Sequence, residues 1–291
     1  VTGLDIKTHR KETILTKEIL KRIKIFKGSV EDYGFLLRIL KQNKIEYVFH
    51  LAATSIVGEA LGNPMKAFST NIEGTWNLLE ASRNAKGIKG IIIASSDKAY
   101  GIHNKLPYRE DASLSGSHPY DVSKSCADLL AYTYYHTYNL PVSITRCGNI
   151  YGPGDFNFSR IFPDTLRSAI TGKTLFIRSN GKFTRDYVYV TDIVSGYLIL
   201  AEKLNKLKLV GEAFNFSNES PITVIGLVKK IYKAVGIREN YKILDRVRYE
   251  IPHQYLASSK ARKVLSWKPE VGIEEGLKIT IAWYRKLLLC K

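Results

Sequence analysis

Short apolar runs rich in β-branched residues alternate with stretches of helical periodicity, and this alternation constrains the chain more than any other feature. The runs are "VTGLDI" at the start, a second over 24–27, then "EYVFHLAA" (46–53), "GIIIASS" (90–96) and "PVSITRC" (141–147). Helical periodicity fills 30–42, 67–85 and 120–138. Strands alternating with helices of ten or more residues make βαβ units, hence a parallel, doubly wound α/β sheet with helices on both faces. Ligands bind such sheets beyond the carboxyl ends of the strands. After about residue 150 the pattern loosens through the turn-rich "YGPGDFNFSR". Shorter elements follow, including helices over 223–235 and 272–288, and these are expected to build a small C-terminal α/β cap.

Composition narrows the function. No apolar run approaches the roughly 18 residues of a membrane span, and the opening residues lack a signal-peptide pattern. Cys126, Cys147 and Cys290 are odd in number and scattered, which argues for a reducing, cytoplasmic setting and against a disulfide framework. No Cys/His cluster has zinc-ligand spacing. The formal charge is +17. Its lysines and arginines are spread over predicted helix faces with no nucleic-acid module to gather them, so the expected bias is towards phosphate-bearing small molecules. Three further residues read as structural: His50 as a satisfied core histidine, Cys147 as packing, Trp76 as core.

The chemistry gathers at "SSDKAYG" (95–101), where a hydroxyl, a carboxylate and an ammonium sit at the end of a buried strand. Twenty-four residues after Ser96, "PYDVSK" places Tyr120 and Lys124 four apart on a helix, so on one face. A tyrosine ordinarily ionises near pH 10. Service as a base near neutrality therefore needs an adjacent positive charge, which Lys124 is placed to supply.

These motifs, with "VFHLAA", "NIEGTWNLLEA", "RCGNIYGPGD", "RDYVYVTD" and the closing "SSKARKVLSWKPEVGIEEGLKITIAWY", resemble the extended short-chain dehydrogenase/reductase family, the nucleotide-sugar epimerases and dehydratases. The resemblance covers nearly the whole chain and implies a Rossmann-type sheet, NAD as cofactor and a nucleoside-diphosphate sugar as substrate. Residues 1–150 would form the NAD-binding half and 151–291 mainly the nucleotide-sugar half, intertwined with the first. Ser96, Tyr120 and Lys124 would be the hydride-transfer triad. Tyr120 would take the proton of the sugar 4-hydroxyl, Ser96 would hydrogen-bond the same oxygen, and Lys124 would hold the nicotinamide ribose. Family epimerases usually carry small apolar residues after this serine, whereas the 4,6-dehydratases carry an acid/base pair. Here the pair is Asp97 and Lys98, similar to the CDP-glucose 4,6-dehydratases. Asp97 would protonate the departing 6-hydroxyl and Lys98 would remove the C5 proton. The resemblance also assigns cofactor contacts to Asp5, Ser29, Val30, Leu51, Ala52, Ala53 and Asn71. It assigns substrate contacts to Asn149, Arg160 and Arg185, and a homodimer seam to the helices around "NIEGTWNLLEA" and "LLAYTYYHTY".

One family feature is missing. The glycine pattern G-x-x-G-x-x-G, which lets backbone approach a pyrophosphate at a helix N-terminus, is not in these residues. Asp5 precedes Ser29 by 24 residues, the spacing from the family's second strand to its adenine-contacting turn, where Ser29 stands in place of the usual Asp. The chain is thus expected to begin at that second strand, leaving sheet edges and apolar surface uncovered. The leading expectation is an NAD-dependent 4,6-dehydratase. The alternatives are a 4-epimerase, or a cofactor-free remnant acting as a binding partner.

Overall fold

The computed structural model describes residues 1–7, 15–247 and 250–289; Cys290 lies outside them. The chain divides into two units. The first comprises Val1–Ile102, Glu110–Arg146 and Tyr197–Phe214; the second comprises His103–Arg109, Cys147–Gly196 and Asn215–Lys291.

In the first unit the expected alternation is found. It runs β1 (Thr2–Asp5), α1 (Lys17–Lys21), β2 (Lys24–Lys27), α2 (Tyr33–Gln42), β3 (Tyr47–His50), α3 (Val57–Gly62), α4 (Pro64–Phe68), α5 (Gly74–Asn84), β4 (Gly90–Ala94), α6 (Pro119–Tyr138) and β5 (Val142–Cys147). Local chemistry sets the boundaries. Asp32 caps α2 by accepting the Phe35 amide, and Leu36, Ile39 and Leu40 bury its inner stripe. Pro119 opens α6, and Asn139, at φ 55°, closes it in the left-handed conformation. β3, β4 and β5 pair in parallel. Ile91, Ile92 and Ile93 of β4 are each no more than 1% exposed, as a strand covered on both faces requires, and each burial contributes about 1.5–3 kcal/mol.

The doubly wound sheet is not continuous among the described residues. β1 pairs in parallel with β2 alone, and β3 pairs with β4 alone, in a four-stranded sheet ordered β10-β5-β4-β3 once β10 (Ala213–Phe216) is included. Leu4 of β1 and Val48 of β3 nevertheless pack on the same cluster of α2 and α5 side chains. Alternate residues Tyr47, Phe49 and Leu51 are exposed, Leu51 by 62%.

Two expectations need correction. The helix over 67–85 is interrupted by a π-helical turn, Ser69–Glu73, between α4 and α5. Trp76, expected in the core, is 43% exposed. The inward arc of α5 is filled by Gly74, Thr75, Asn77, Leu78, Leu79, Ala81 and Ser82, which leaves 76, 80, 83 and 84 outside it.

The later chain forms β6 (Asn149–Tyr151), α7 (Ile161–Thr171), β7 (Leu175–Ile177), β8 (Thr184–Arg185), β9 (Tyr187–Tyr189), α8 (Val190–Lys203), β11 (Ile222–Thr223), α9 (Val224–Val235), β12 (Tyr241–Ile243) and α10 (Ile273–Leu289). Its core is built on α7, α9 and α10. Val224, Leu227, Val228, Ile231, Tyr232 and Val235 supply one regular buried face of α9. The short strands pair in twos: β6 with β9 and β7 with β12 in parallel, β8 with β11 antiparallel.

Candidate active site

Ser96 lies two residues beyond β4 and caps the 3-10 turn Asp97–Tyr100, its hydroxyl accepting the Lys98 amide at 3.3 Å and donating to Asp97 Oδ1 at 2.9 Å. Ser96 and Asp97 are buried; Lys98 is half-buried. Gly101 closes the turn at φ 70°, and a Cβ there would lie 2.0 Å from the Ser115 carbonyl oxygen, so only glycine fits this approach. On α6, Tyr120 and Lys124 are both buried. Lys124 Nζ donates to the Ala94 carbonyl at 2.8 Å and lies 6.0 Å from the Tyr120 ring centroid. The structure thus gathers the five predicted catalytic residues on the carboxyl end of β4 and the first turns of α6.

Neighbouring polar residues on α6 lock it in place. Ser123 donates to the Tyr120 carbonyl (2.7 Å) and receives Asn71 Nδ2 (2.9 Å). Ser125 donates to the Ala99 carbonyl at 2.9 Å, tying the helix to the 3-10 turn. Asn71, in the π-helical turn, also accepts the Thr54 amide (2.7 Å) and donates to the Thr54 carbonyl (3.1 Å). Its side chain, expected on the cofactor, is thereby engaged in holding the segment after β3.

The other expected cofactor residues lie near strand ends. Asp5 ends β1 and accepts the Lys7 amide at 2.8 Å. Ser29 accepts the Glu31 amide in the turn before α2. Val30 is buried against Gly74. Leu51 and Ala52 are exposed and Ala53 half-buried, directly after β3.

Two buried groups carry shifted ionisation. His50 hydrogen-bonds Thr75 through Nε2 at 3.0 Å, so it is the satisfied core histidine expected. Burial, helped by the Lys124 charge, pushes its pKa down to about 3. Burial pushes the Asp121 carboxyl up, against the pull of Lys98 and His118. The His50 shift has a signed consequence. Unfolded histidine takes up a proton below about pH 6.5, and folded His50 only near pH 3, so stability is complete above that window and falls on acidification through it. At pH 5 the loss is about 2 kcal/mol. Urea denaturation at pH 7 and pH 5 should show it, and His50→Gln should remove that part of the pH dependence.

The sequence reading missed Ser95, Asp128, Tyr100 and Arg146, which form a buried polar network behind the triad. Ser95 donates to Asp128 Oδ2. Arg146 meets Asp128 Oδ1 with Nε at 3.0 Å and Nη2 at 2.9 Å. Burial opposes the Arg146 charge, but Asp128 and Tyr100 more than offset it and hold its pKa above the ordinary value. The signal was present: Asp128 lies four residues beyond Lys124, extending the stripe.

The second unit holds the three expected substrate residues. Asn149 opens β6, and its buried Nδ2 has no hydrogen-bond partner. Arg160 bonds Asp155 at 2.7 Å and the Ile150 carbonyl at 2.9 Å. Arg185 is 7% exposed and engaged by the Thr184 and Pro252 carbonyls and, at 3.3 Å, by Glu250. Asp186 beside it staples the loop after β10, accepting the Ser217 hydroxyl and the Asn218 and Ser220 amides. Among the described residues no helix is long and apolar enough to cross a membrane, and no group of three His, Cys, Asp or Glu could hold a metal ion.

The family model described as GDP-mannose 4,6 dehydratase matches residues 4–280. A UDP-glucuronate 4-epimerase of Thermodesulfobacterium geofontis is 30% identical over 269 residues, covering 91% of this chain and 80% of that protein. A CDP-glucose 4,6-dehydratase of Salmonella typhimurium is 31% identical over 273 residues, covering 89% and 76%. The crystal structure of a dTDP-glucose 4,6-dehydratase from Streptomyces venezuelae with NAD bound superposes with a TM-score of 0.85 at 27% identity, covering 91% of this chain and 80% of that one.

Proposed function

The chain belongs to the GDP-mannose 4,6-dehydratase family, among the extended short-chain dehydrogenases, and from that premise we propose that it is an NAD-dependent nucleotide-sugar 4,6-dehydratase of the CDP-glucose type. The observation that carries the dehydratase reading is the Asp97–Lys98 pair in one 3-10 turn, with buried Asp97 hydrogen-bonded to Ser96.

The residues present suit two parts of NAD. Asp5 offers a carboxylate at the end of β1 for the adenosine ribose, with Ser29 and Val30 in the next turn and Leu51, Ala52 and Ala53 after β3 along its path. Asn71 acts through the Thr54 segment it holds. Lys124 and Tyr120 would hold the nicotinamide ribose. The sequence contains no G-x-x-G-x-x-G turn, so no residue of this chain is assigned to the pyrophosphate. When bound, NAD would supply the hydride chemistry, with sugar C4 the donor and C6 the final acceptor.

The protein's own residues handle the protons. Tyr120 takes the proton of the 4-hydroxyl, and Lys124 beside it favours the tyrosinate. Ser96 hydrogen-bonds the same oxygen, exchanging its bond to Asp97 for one to substrate. Once C4 is a ketone the C5 proton is acidic; Lys98, in its neutral form, removes it and Asp97, in its protonated form, gives its proton to the departing O6, so that water leaves, and Lys98 then returns its proton to C5 as C6 is reduced. In the second unit, the orphaned Asn149 Nδ2 is a donor in need of a partner, which supports a substrate contact. Arg185 and Arg160 are assigned to the diphosphate and nucleotide, for which a guanidinium's geometry is suited.

Incubation with NAD and CDP-, dTDP-, UDP- or GDP-hexoses tests the reading. A 4-keto-6-deoxy product is expected, with CDP-glucose turned over best. Inversion at C4 without loss of water would replace it with the epimerase reading, which the similarity to a UDP-glucuronate 4-epimerase supports. Neither product, together with no NAD binding by calorimetry, would leave the remnant reading.

A homodimer through α5 and α6 is part of the proposal. Trp76, Leu129, Tyr132 and Tyr138 are each at least 43% exposed on these two helices, an aromatic composition that suits an interface. Light scattering should give a dimer mass, and Leu129→Glu should shift it towards monomer.

A further inference from the structure

We propose that Asp128 and Arg146 are positioning residues for the hydride-transfer triad, setting the rotation and depth of α6 against the end of β4. The inference rests on the reading of Ser96, Tyr120 and Lys124 as that triad, and neither Asp128 nor Arg146 would touch substrate or cofactor.

Tyr120, Lys124 and Asp128 are spaced i, i+4, i+8, so they lie on one stripe, about 12 Å from first to last. The two ends of the stripe do different things. Tyr120 and Lys124 carry the chemistry, and Asp128 is the deep anchor, 2% exposed. Its two oxygens are divided between elements. Oδ2 accepts the hydroxyl of Ser95, the residue directly before Ser96. Oδ1 accepts Nε and Nη2 of Arg146 on β5.

Arg146 spends its remaining donor on the same neighbourhood. Nη1 donates to Tyr100 Oη at 2.8 Å and to the Glu110 carbonyl at 3.1 Å. The guanidinium also stacks over the Tyr100 ring, 4.8 Å from its centroid. Tyr100 is the last residue of the 3-10 turn that carries Asp97 and Lys98. One buried ion pair therefore touches the strand end next to Ser96, the turn bearing the acid/base pair, the helix bearing Tyr120 and Lys124, and the adjacent strand.

An apolar cluster would fill this space at lower desolvation cost. What it would not supply is direction. Two N–H groups of one planar guanidinium converge on Asp128 Oδ1 while Ser95 takes Oδ2, so the carboxylate is held from two directions. A rotation of α6 by one residue, about 100°, would carry Asp128 away from both Ser95 and Arg146. The charges have no part in the proton steps above, so their role is geometric.

The test uses the full chain with Asp128→Asn, which keeps the shape but removes the charge, and Arg146→Lys, which keeps the charge but loses the fork. Hydrogen–deuterium exchange, read without cofactor or substrate, should show faster exchange confined to 95–101 and 119–128 in both variants. With a turned-over nucleotide sugar, kcat should fall at least tenfold with KM within twofold, and less in Arg146→Lys than in Asp128→Asn. Exchange that rises uniformly over the first unit, or stays unchanged at both segments, would overturn the proposal. So would unchanged kcat in both variants. If Asp128→Asn does not fold, Arg146→Lys alone decides by the same criteria. Should the unsubstituted chain turn over no nucleotide sugar, the functional reading fails, and the exchange pattern still decides whether the pair positions the two segments.

Discussion

Tyr120→Phe is expected to stop oxidation at C4, lowering kcat by at least 10²–10⁴-fold, the range that a lost general base supplies. The substitution removes one oxygen and keeps the ring that packs against Ala60 and Ala67, so the fold should be unaffected. Lys124 would retain its bond to the Ala94 carbonyl, and Ser96 would still cap the 3-10 turn. Binding of substrate and cofactor should therefore change little, and the loss should lie in kcat. With NAD and substrate present, no absorbance of reduced nicotinamide should develop. If it developed at the unsubstituted rate while the thermal midpoint stayed unchanged, Tyr120 would not be the base.

Lys98→Ala should separate the two halves of the reaction. C4 oxidation depends on Ser96, Tyr120 and Lys124, all intact, so reduced nicotinamide should form and then accumulate on the enzyme. Elimination should fall at least 10²-fold, and exchange of the C5 proton with deuterated solvent should fall with it. The side chain is half-buried, so its truncation leaves no large cavity. It does withdraw a positive charge from Asp121, whose carboxyl burial already pushes up, so Asp121 should become still harder to ionise. Lys98→Met, which keeps the bulk without the charge, should behave like the alanine variant. C5 exchange at the unsubstituted rate in both variants would assign the proton to another group and leave Lys98 as a partner of the buried carboxylates.

The two experiments discriminate because they remove groups assigned to different proton steps. Tyr120 depends on the setting of α6, through Ser123, Ser125 and Asp128, whereas Lys98 depends on the 3-10 turn capped by Ser96. Asp97 belongs to both, since the Ser96 hydroxyl donates to it. A dehydratase needs Ser96 first on the 4-oxygen and Asp97 later as an acid at O6. The bond between them holds each until substrate arrives.

Much of this molecule was legible in its letters because the determinants are local. The buried stripe of α9, the isoleucines of β4, the Pro–Asn bracket of α6 and the Ser96 cap all follow from residues within a few positions of one another. So does the placing of Tyr120 and Lys124 on one helical face. Only the tertiary structure decided the rest, because hydrogen bonds and burial depend on partners distant in sequence. Asp128 reaches Ser95 and Arg146, 33 and 18 residues away. Arg185 meets Glu250 across 65 residues, and Asp186 finds Ser217 across 31. Trp76 is apolar by composition yet faces outward, because smaller residues of α5 already fill its inner arc.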